Sequence, residues 1–255
     1  MPTRFGFLPM DQDLWIYVVA GFIAQLIDGA LGMAYGISAS SLLVGLGVPP
    51  ALVSSTVHAA ECFTTGASAI SHHAFGNISR DLFRRLLIPG VIGAALGAYV
   101  LTSIDGEVIK PWVSAYLMIM GLVIVLKAFR PFPTREVNTR LTPLAFVGSF
   151  LDAVGGGGWG PIVATNLIVR GNSVRHAVGS VNAVEFFVTL SASVTFFLSM
   201  GLQNWQVIAG LAAGGMLAAP LGAWLAHRLP HRPMMVMVGV LVFGISLRTL
   251  WRSLA

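Results

Sequence analysis

Hydrophobic positions along this chain form long, nearly unbroken blocks, not the alternating or 3.6-spaced pattern of a soluble domain. Four blocks occupy roughly 14–46, 51–74, 82–102 and 109–129, and four more roughly 141–170, 175–199, 204–227 and 232–251. Short basic or Pro/Gly-rich turns separate them. Most are close to the ~20 residues that a helix needs to cross a hydrocarbon core. The pattern predicts an all-α polytopic integral membrane protein.

The rare polar residues within the blocks are spaced with a second regularity. Asp28 and Asp152 are 124 positions apart, and so are Glu61 and Glu185 (152 − 28 = 185 − 61 = 124). At that shift residues 28–65 and 152–189 share 10 identities in 38 positions without a gap, including every acidic residue. The chain therefore divides into a tail at 1–13, a repeat of four segments at 14–129, a basic linker at 130–140 and a second four-segment repeat at 141–255. A carboxylate at mid-bilayer is costly, about 3 kcal/mol on insertion scales, and normally faces a cavity. Two matched pairs point to a polar site between two repeats, as in a transporter.

The first block of each repeat is about 30 residues long, more than the ~20 of one crossing. Each is interrupted by glycine, at Gly29–Gly36 and at Gly155–Gly160. Such runs break a helix, giving either a spanning helix unwound at its centre or a re-entrant pair of half-helices. Basic residues help to choose. With re-entrant first segments the repeats are inverted, and Arg80, Arg84, Arg85, Lys127, Arg130, Arg135, Arg140, Arg170, Arg175, Arg228 and Arg232 share one face. Arg4, Lys110, Arg248 and Arg252 take the other, a split of eleven to four. The expected architecture is thus an inverted repeat with glycine-broken first segments.

Composition agrees: 56% of residues are hydrophobic, 10% are charged, and mean hydropathy is +0.81. The net charge of +5 lies in the turns, where it sets topology, so no nucleic-acid partner is implied. A single cysteine, Cys62, leaves no disulfide framework within the chain. The amino terminus, with Arg4, Pro9, Asp11 and Asp13, lacks the layout of a cleaved signal peptide.

Three groups of residues are candidates for chemistry. His58, Glu61 and Thr65 fall at i, i+3 and i+7, on one helix face, and Asn182, Glu185 and Thr189 repeat the pattern. A polar stripe on an apolar helix must face protein or water. Half-helices starting near Tyr35–Ser38 and Trp159–Ile162 would point free N–H groups into the membrane, an anion site without formal charge. Tyr35, Gly36, Ser38, Ser41, Gly156, Gly157, Gly158, Trp159, Gly160 and Thr165 would line it, with His58 and Asn182. Asp28 and Asp152, just before the breaks, would hold the turns by accepting backbone N–H groups, with Thr65 and Thr189 as further structural polar groups; direct proton handling by the aspartates is the alternative. Gln25 and Asn166 are weaker candidates. His72, His73, Arg175 and His176 read as interfacial anchors. A metal site at His58 and Glu61 is weakened by Asn182, a poor transition-metal ligand, in the second repeat. No cofactor is called for, and neither His-Glu-x-x-His nor Gly-x-Ser-x-Gly is present, so an enzyme is not expected.

Four stretches resemble the TauE/SafE sulfite exporter family, also called the TSUP or anion-permease family. They are Leu26–Gly36, Leu151–Pro161, Val57–Thr65 and Val178–Thr189, with their Asp-Gly-rich and His/Asn-x-x-Glu motifs. The resemblance covers essentially the whole chain. It implies a multi-pass protein of a bacterial inner (plasma) membrane that exports sulfite or a small organosulfonate such as sulfoacetate. Gly32-Met-Ala-Tyr-Gly36 is less rich in glycine than its counterpart, a departure from strict two-fold symmetry.

The partners expected are therefore a small anion and the lipid bilayer, and a homo-oligomer is compatible with the pattern. Ionised Glu61 and Glu185 would repel an anion, so at least one is expected to be protonated when it is bound, coupling proton to anion movement with His58 as a relay. The simpler reading is a channel-like uniporter driven by membrane potential, at about 2.3 kcal/mol per charge per 100 mV. A divalent-metal transporter and a structural or assembly protein are more distant readings.

Overall fold

The computed structural model describes residues 14–129, 140–225, 228 and 231–254. The 1–13 tail with Arg4, and the linker up to residue 139 with Arg130 and Arg135, lie outside the described residues. Every described element is helical. In the first half α1 spans Leu14–Leu31, α2 Tyr35–Gly45, α3 Pro50–Ala74, α4 Arg80–Thr102 and α5 Gly106–Ala128. In the second, α6 spans Leu141–Gly155, a π-helical turn Gly160–Ala164, α7 Thr165–Val169, α8 Val174–Met200, α9 Trp205–Leu225 and α10 His231–Leu254.

Both long first blocks are broken where glycine was expected to break them, at residues 32–34 and 156–158. Gly32 and Gly156, related by the 124-residue shift, have φ of +67° and +69°. Only glycine takes that left-handed conformation without a Cβ penalty, so each ends its helix with the chain turned aside.

Six described helices are long and apolar enough to cross a membrane: α1, α4, α5, α8, α9 and the Arg232–Leu254 part of α10. The chain is a multi-pass membrane protein. α3 has length to spare at 25 residues, but its mean hydropathy is lowered by its buried polar face. Many large apolar side chains lie on the outside, among them Trp15, Ile70, Ile88, Trp112, Leu198, Leu217 and Trp251, whereas the intramembrane carboxylates are inside. That is the inversion expected of a protein whose solvent is lipid.

Small residues set how closely the helices pack. α1 lies along α9, where Gly29 and Gly222 meet backbone to backbone. α6 lies along α4, where a Cβ on Gly93 or Gly97 would strike the backbone of Phe146 or Phe150. α5 lies along α10 with Gly121 against Gly239. α3 and α8 run antiparallel through the centre: Ser68 meets Asn182, Gly66 meets Phe186, Cys62 meets Ser193 and His58 meets Phe196.

Candidate functional site

The two breaks touch. A Cβ on Gly157 would collide with the backbone of Gly36 and Ile37, and one on Gly160 with Gly32 and Met33. Here glycine is required by close approach of backbone to backbone, not by local flexibility. Ser40 Oγ of α2 donates to the Gly156 carbonyl, and Tyr116 of α5 donates from its hydroxyl to the Gly157 carbonyl at 3.0 Å.

Each aspartate reaches across its own break. Asp28 Oδ1 accepts from Tyr35 N at 3.4 Å, and Asp152 Oδ1 accepts from Trp159 N at 2.9 Å. The first N–H of each following helical turn is thereby held by a carboxylate of the chain itself.

Glu61 of α3 lies against Gly36, and Glu185 occupies the corresponding place on α8. Asp28, Asp152 and Glu61 are each 3% exposed and Glu185 6%. Each of the four lies within electrostatic reach of the other three. Tyr35 lies within reach of Asp28 and Glu61, and Tyr116 within reach of Asp152. Asp28 Oδ2, Glu185 Oε2, the Tyr35 hydroxyl and both side-chain polar atoms of Gln25 are buried without a hydrogen-bond partner. Buried polar groups in native proteins are normally satisfied, and these orphans lie on α1, α2 and α8, the elements that carry or adjoin the carboxylates.

The two halves differ in detail. His58 Nε2 lies 3.1 Å from Asp152 Oδ2, and its Nδ1 lies 2.8 Å from the Ser54 carbonyl. The Ser54 hydroxyl donates to the Ala153 carbonyl at 2.6 Å. Asn182, at the position matching His58, instead accepts from Ser68 Oγ at 2.8 Å and donates to the Val178 carbonyl. Thr65 and Thr189 turn their hydroxyls back to the carbonyls of Glu61 and Phe186.

The other predicted residues have partners of their own. Ser41 pairs with Ser246 of α10 at 3.3 Å, and Thr165 donates to the Pro161 carbonyl and accepts from Lys127 of α5. Trp159 is fully buried and its indole N–H donates to the Val181 carbonyl. Ser38 is half-buried, and Gly158 packs under the Tyr116 hydroxyl. Lys127, counted above with the turn cations, belongs to α5 and reaches inward to the Pro161 carbonyl at 3.2 Å. The adjacent histidines 72 and 73 part company: His73 is exposed, but His72 is fully buried and is not an interfacial anchor. Ser40, Ser54, Tyr116 and Lys127 were not singled out from sequence. Ser54 was within reach of that reasoning, four residues before His58 on the same face; Tyr116 gives no local signal.

Among the described residues, no group of three His, Cys, Asp or Glu side chains is arranged to hold a metal ion.

The model of the family described as "Sulfite exporter TauE/SafE" matches residues 17–249. Among curated proteins, the chain is 41% identical over 249 residues to "Probable membrane transporter protein YtnM" of Bacillus subtilis (strain 168), covering 94% of this chain and 83% of that one. It is 25% identical to "Probable membrane transporter protein ORF9" of Sinorhizobium sp, covering 90% and 92% of the two chains. It is 28% identical to a "Probable membrane transporter protein" of Haemophilus influenzae, with the same coverage of 90% and 92%. No solved structure matches the chain.

Proposed function

Because the chain belongs to the sulfite exporter TauE/SafE family and is a membrane transporter, we propose that it exports a small sulfur oxyanion or organosulfonate, such as sulfite or sulfoacetate, across a bacterial plasma membrane. The observation that carries this reading is the meeting of the two glycine breaks at a buried centre ringed by Asp28, Glu61, Asp152 and Glu185. Sulfite is a small hydrated anion whose oxygens need several donors when water is stripped away. The N–H groups after the two breaks, together with Tyr35 and Gln25, are donors of that kind.

The antiparallel contact of α3 with α8, and the matching of α1–α9 with α6–α4, support two inverted repeats related across the centre. Such an arrangement suits alternating access around a fixed midplane site. Anion and carboxylates share one volume, so at least one of Glu61 and Glu185 carries a proton while the anion is bound. Proton movement is thereby coupled to anion movement.

The uniport reading is favoured by a different observation. His58 is already engaged by Asp152, Ser54 and the tilted ring of Phe196, with centroids 6.0 Å apart, which suits a fixed structural group better than a relay. Sulfite efflux from proteoliposomes, with membrane potential and pH gradient imposed separately, separates the two. Coupled export predicts flux that follows the pH gradient and loses that dependence in Glu61→Gln/Glu185→Gln. Flux driven by potential alone, unchanged in that double variant, would establish uniport. No sulfite or sulfoacetate flux under either gradient would reject the substrate assignment.

A further inference from the structure

Polar side chains recur along α3 at Ser54, His58, Glu61, Thr65, Ser68 and His72, one face of the helix, and all six are buried. From Glu61 to His72 the stripe covers ~16 Å of helix axis, about half the thickness of a hydrocarbon core. The second half has no such run. The 124-residue shift matches Thr189 to Thr65 but puts Ala192 at the place of Ser68 and Phe196 at that of His72, both buried. One arm of the site is therefore polar as far as the α3–α4 turn, and its counterpart is closed by apolar side chains.

His72 ends the polar arm. Its Nδ1 lies 3.1 Å from Asn77 Nδ2, and an amide nitrogen only donates, so Nδ1 accepts and the ring proton sits on Nε2. That buried Nε2–H faces the backbone of Gly29 in α1, the residue after Asp28, without a well-formed hydrogen bond. A fully buried imidazole thus stands at this position, where the other half has phenylalanine. Just outside it, His73, Ile78, Arg80, Phe83 and Arg84 line an open surface cavity of about 320 Å³.

We propose that Thr65, Ser68 and His72 form the proton route between Glu61 and the membrane face that bears the α3–α4 turn, with His72 as its outer relay. The proposal rests on the coupled reading of the transporter given above. Hydroxyls donate and accept by rotating, and side chains at i and i+4 are ~5–6 Å apart, a gap that one water bridges. A proton taken up at one ring nitrogen of His72 is released from the other, passes to the Glu61 carboxylate, and leaves the imidazole neutral. Asn77 and the Gly29 backbone face the ring directly. The titratable groups on the surrounding helices are Asp28 of α1, His58, Glu61 and His73 of α3, Asp152 of α6, Arg175, His176 and Glu185 of α8, and Arg80, Asp81, Arg84 and Arg85 at the start of α4. Asp81 and Arg85 pair with each other on the surface, which leaves Arg80 and Arg84 beside the cavity.

The test uses the full chain in proteoliposomes and two readouts with sulfite as the probe. Exchange of internal for labelled external sulfite without a gradient needs no net proton movement. Net efflux under a pH gradient, at clamped potential and with a trapped pH dye, does need it. His72→Phe, which installs the residue of the other half, is expected to keep exchange and to slow gradient-driven efflux and the matching proton flux by roughly tenfold or more. His72→Gln and Ser68→Ala give the same readout if the phenylalanine variant does not fold. Gradient-driven flux equal to wild type in these variants would overturn the route and leave the coupled reading standing. A wild type that exchanges sulfite but ignores the pH gradient would overturn both.

Discussion

His58 Nε2 lies 3.1 Å from Asp152 Oδ2, and this contact, beside the Ser54 hydroxyl on the Ala153 carbonyl, joins the central helix of one half to the glycine break of the other. Both groups are buried, and Asp152 at the same time holds Trp159 N. The carboxylate is thus bonded on both oxygens, and the turn that presents Gly157 to Gly36 depends on it.

Removing one partner should be costly. His58→Leu leaves Asp152 Oδ2 buried and unpaired, and the expected loss of stability is about 3 kcal/mol. The double variant His58→Leu/Asp152→Asn should lose less than the sum of the single variants, because the uncompensated carboxylate is gone. Thermal unfolding in detergent of all four proteins measures the coupling. Strict additivity would mean that the contact contributes nothing.

Asp28 should tolerate change better than Asp152. Its bond to Tyr35 N is longer, 3.4 Å against 2.9 Å, and its Oδ2 has no partner. Asp28→Asn is expected to destabilise by at least ~1 kcal/mol less than Asp152→Asn, the worth of one hydrogen bond to a charged or buried group. The ranking is read from melting temperatures of the two variants. If Asp28→Asn instead abolishes transport in a protein that remains folded, its orphan oxygen is serving the substrate.

Glycine-to-alanine changes should split sharply by position. At Gly157 the new Cβ would run into the backbone of Ile37 and Gly36, which has no rotamer to yield, so a loss of about 3 kcal/mol or failure to fold is expected. At Gly244 in α10 a Cβ meets nothing within 4 Å. There alanine should be neutral or stabilising by up to ~1 kcal/mol, through helix propensity. Expression level and thermal stability of the pair provide the comparison.

The inverted arrangement predicts a labelling pattern. α3 is 25 residues long, ~37 Å, so its two ends lie on opposite membrane faces. In a Cys62→Ser background, Phe75→Cys and Arg175→Cys should react with an impermeant maleimide from one side. Leu46→Cys and Gln203→Cys should react from the other, because Asn204 of the α8–α9 turn reaches Thr56 near the start of α3. Labelling of Phe75→Cys and Arg175→Cys from opposite sides would mean that the repeats are parallel.

Much of this molecule was written in its hydrophobic pattern. A run of apolar residues long enough to cross a bilayer has one way to satisfy its backbone, so the helices could be placed to within a few residues. The breaks were legible because glycine at Gly32 and Gly155–Gly158 has no reason to interrupt an apolar helix other than conformation or close approach. The four carboxylates stood out because charge is expensive in lipid. Less legible were the partners: Ser41 meets Ser246 of α10 and Thr165 meets Lys127 of α5, contacts that no local pattern announces. His72 looked like the interfacial neighbour of His73, but one step along a helix turns a side chain by about 100°, and the fold around it buried one ring and left the other outside.

By itself the sequence determined the class, a helical membrane protein, and marked the polar residues that such a protein would not keep without a use. Those are properties of single helices in lipid, set by length, hydropathy and backbone conformation. Which polar atoms meet was decided only by the tertiary structure. The 124-residue shift makes His58 and Asn182 equivalent, yet one takes Asp152 and the other Ser68, because helices packed through small residues bring side chains together from distant parts of the chain. The polar arm ending in His72, and the apolar arm ending in Phe196, exist as a pair only where α3 and α8 cross.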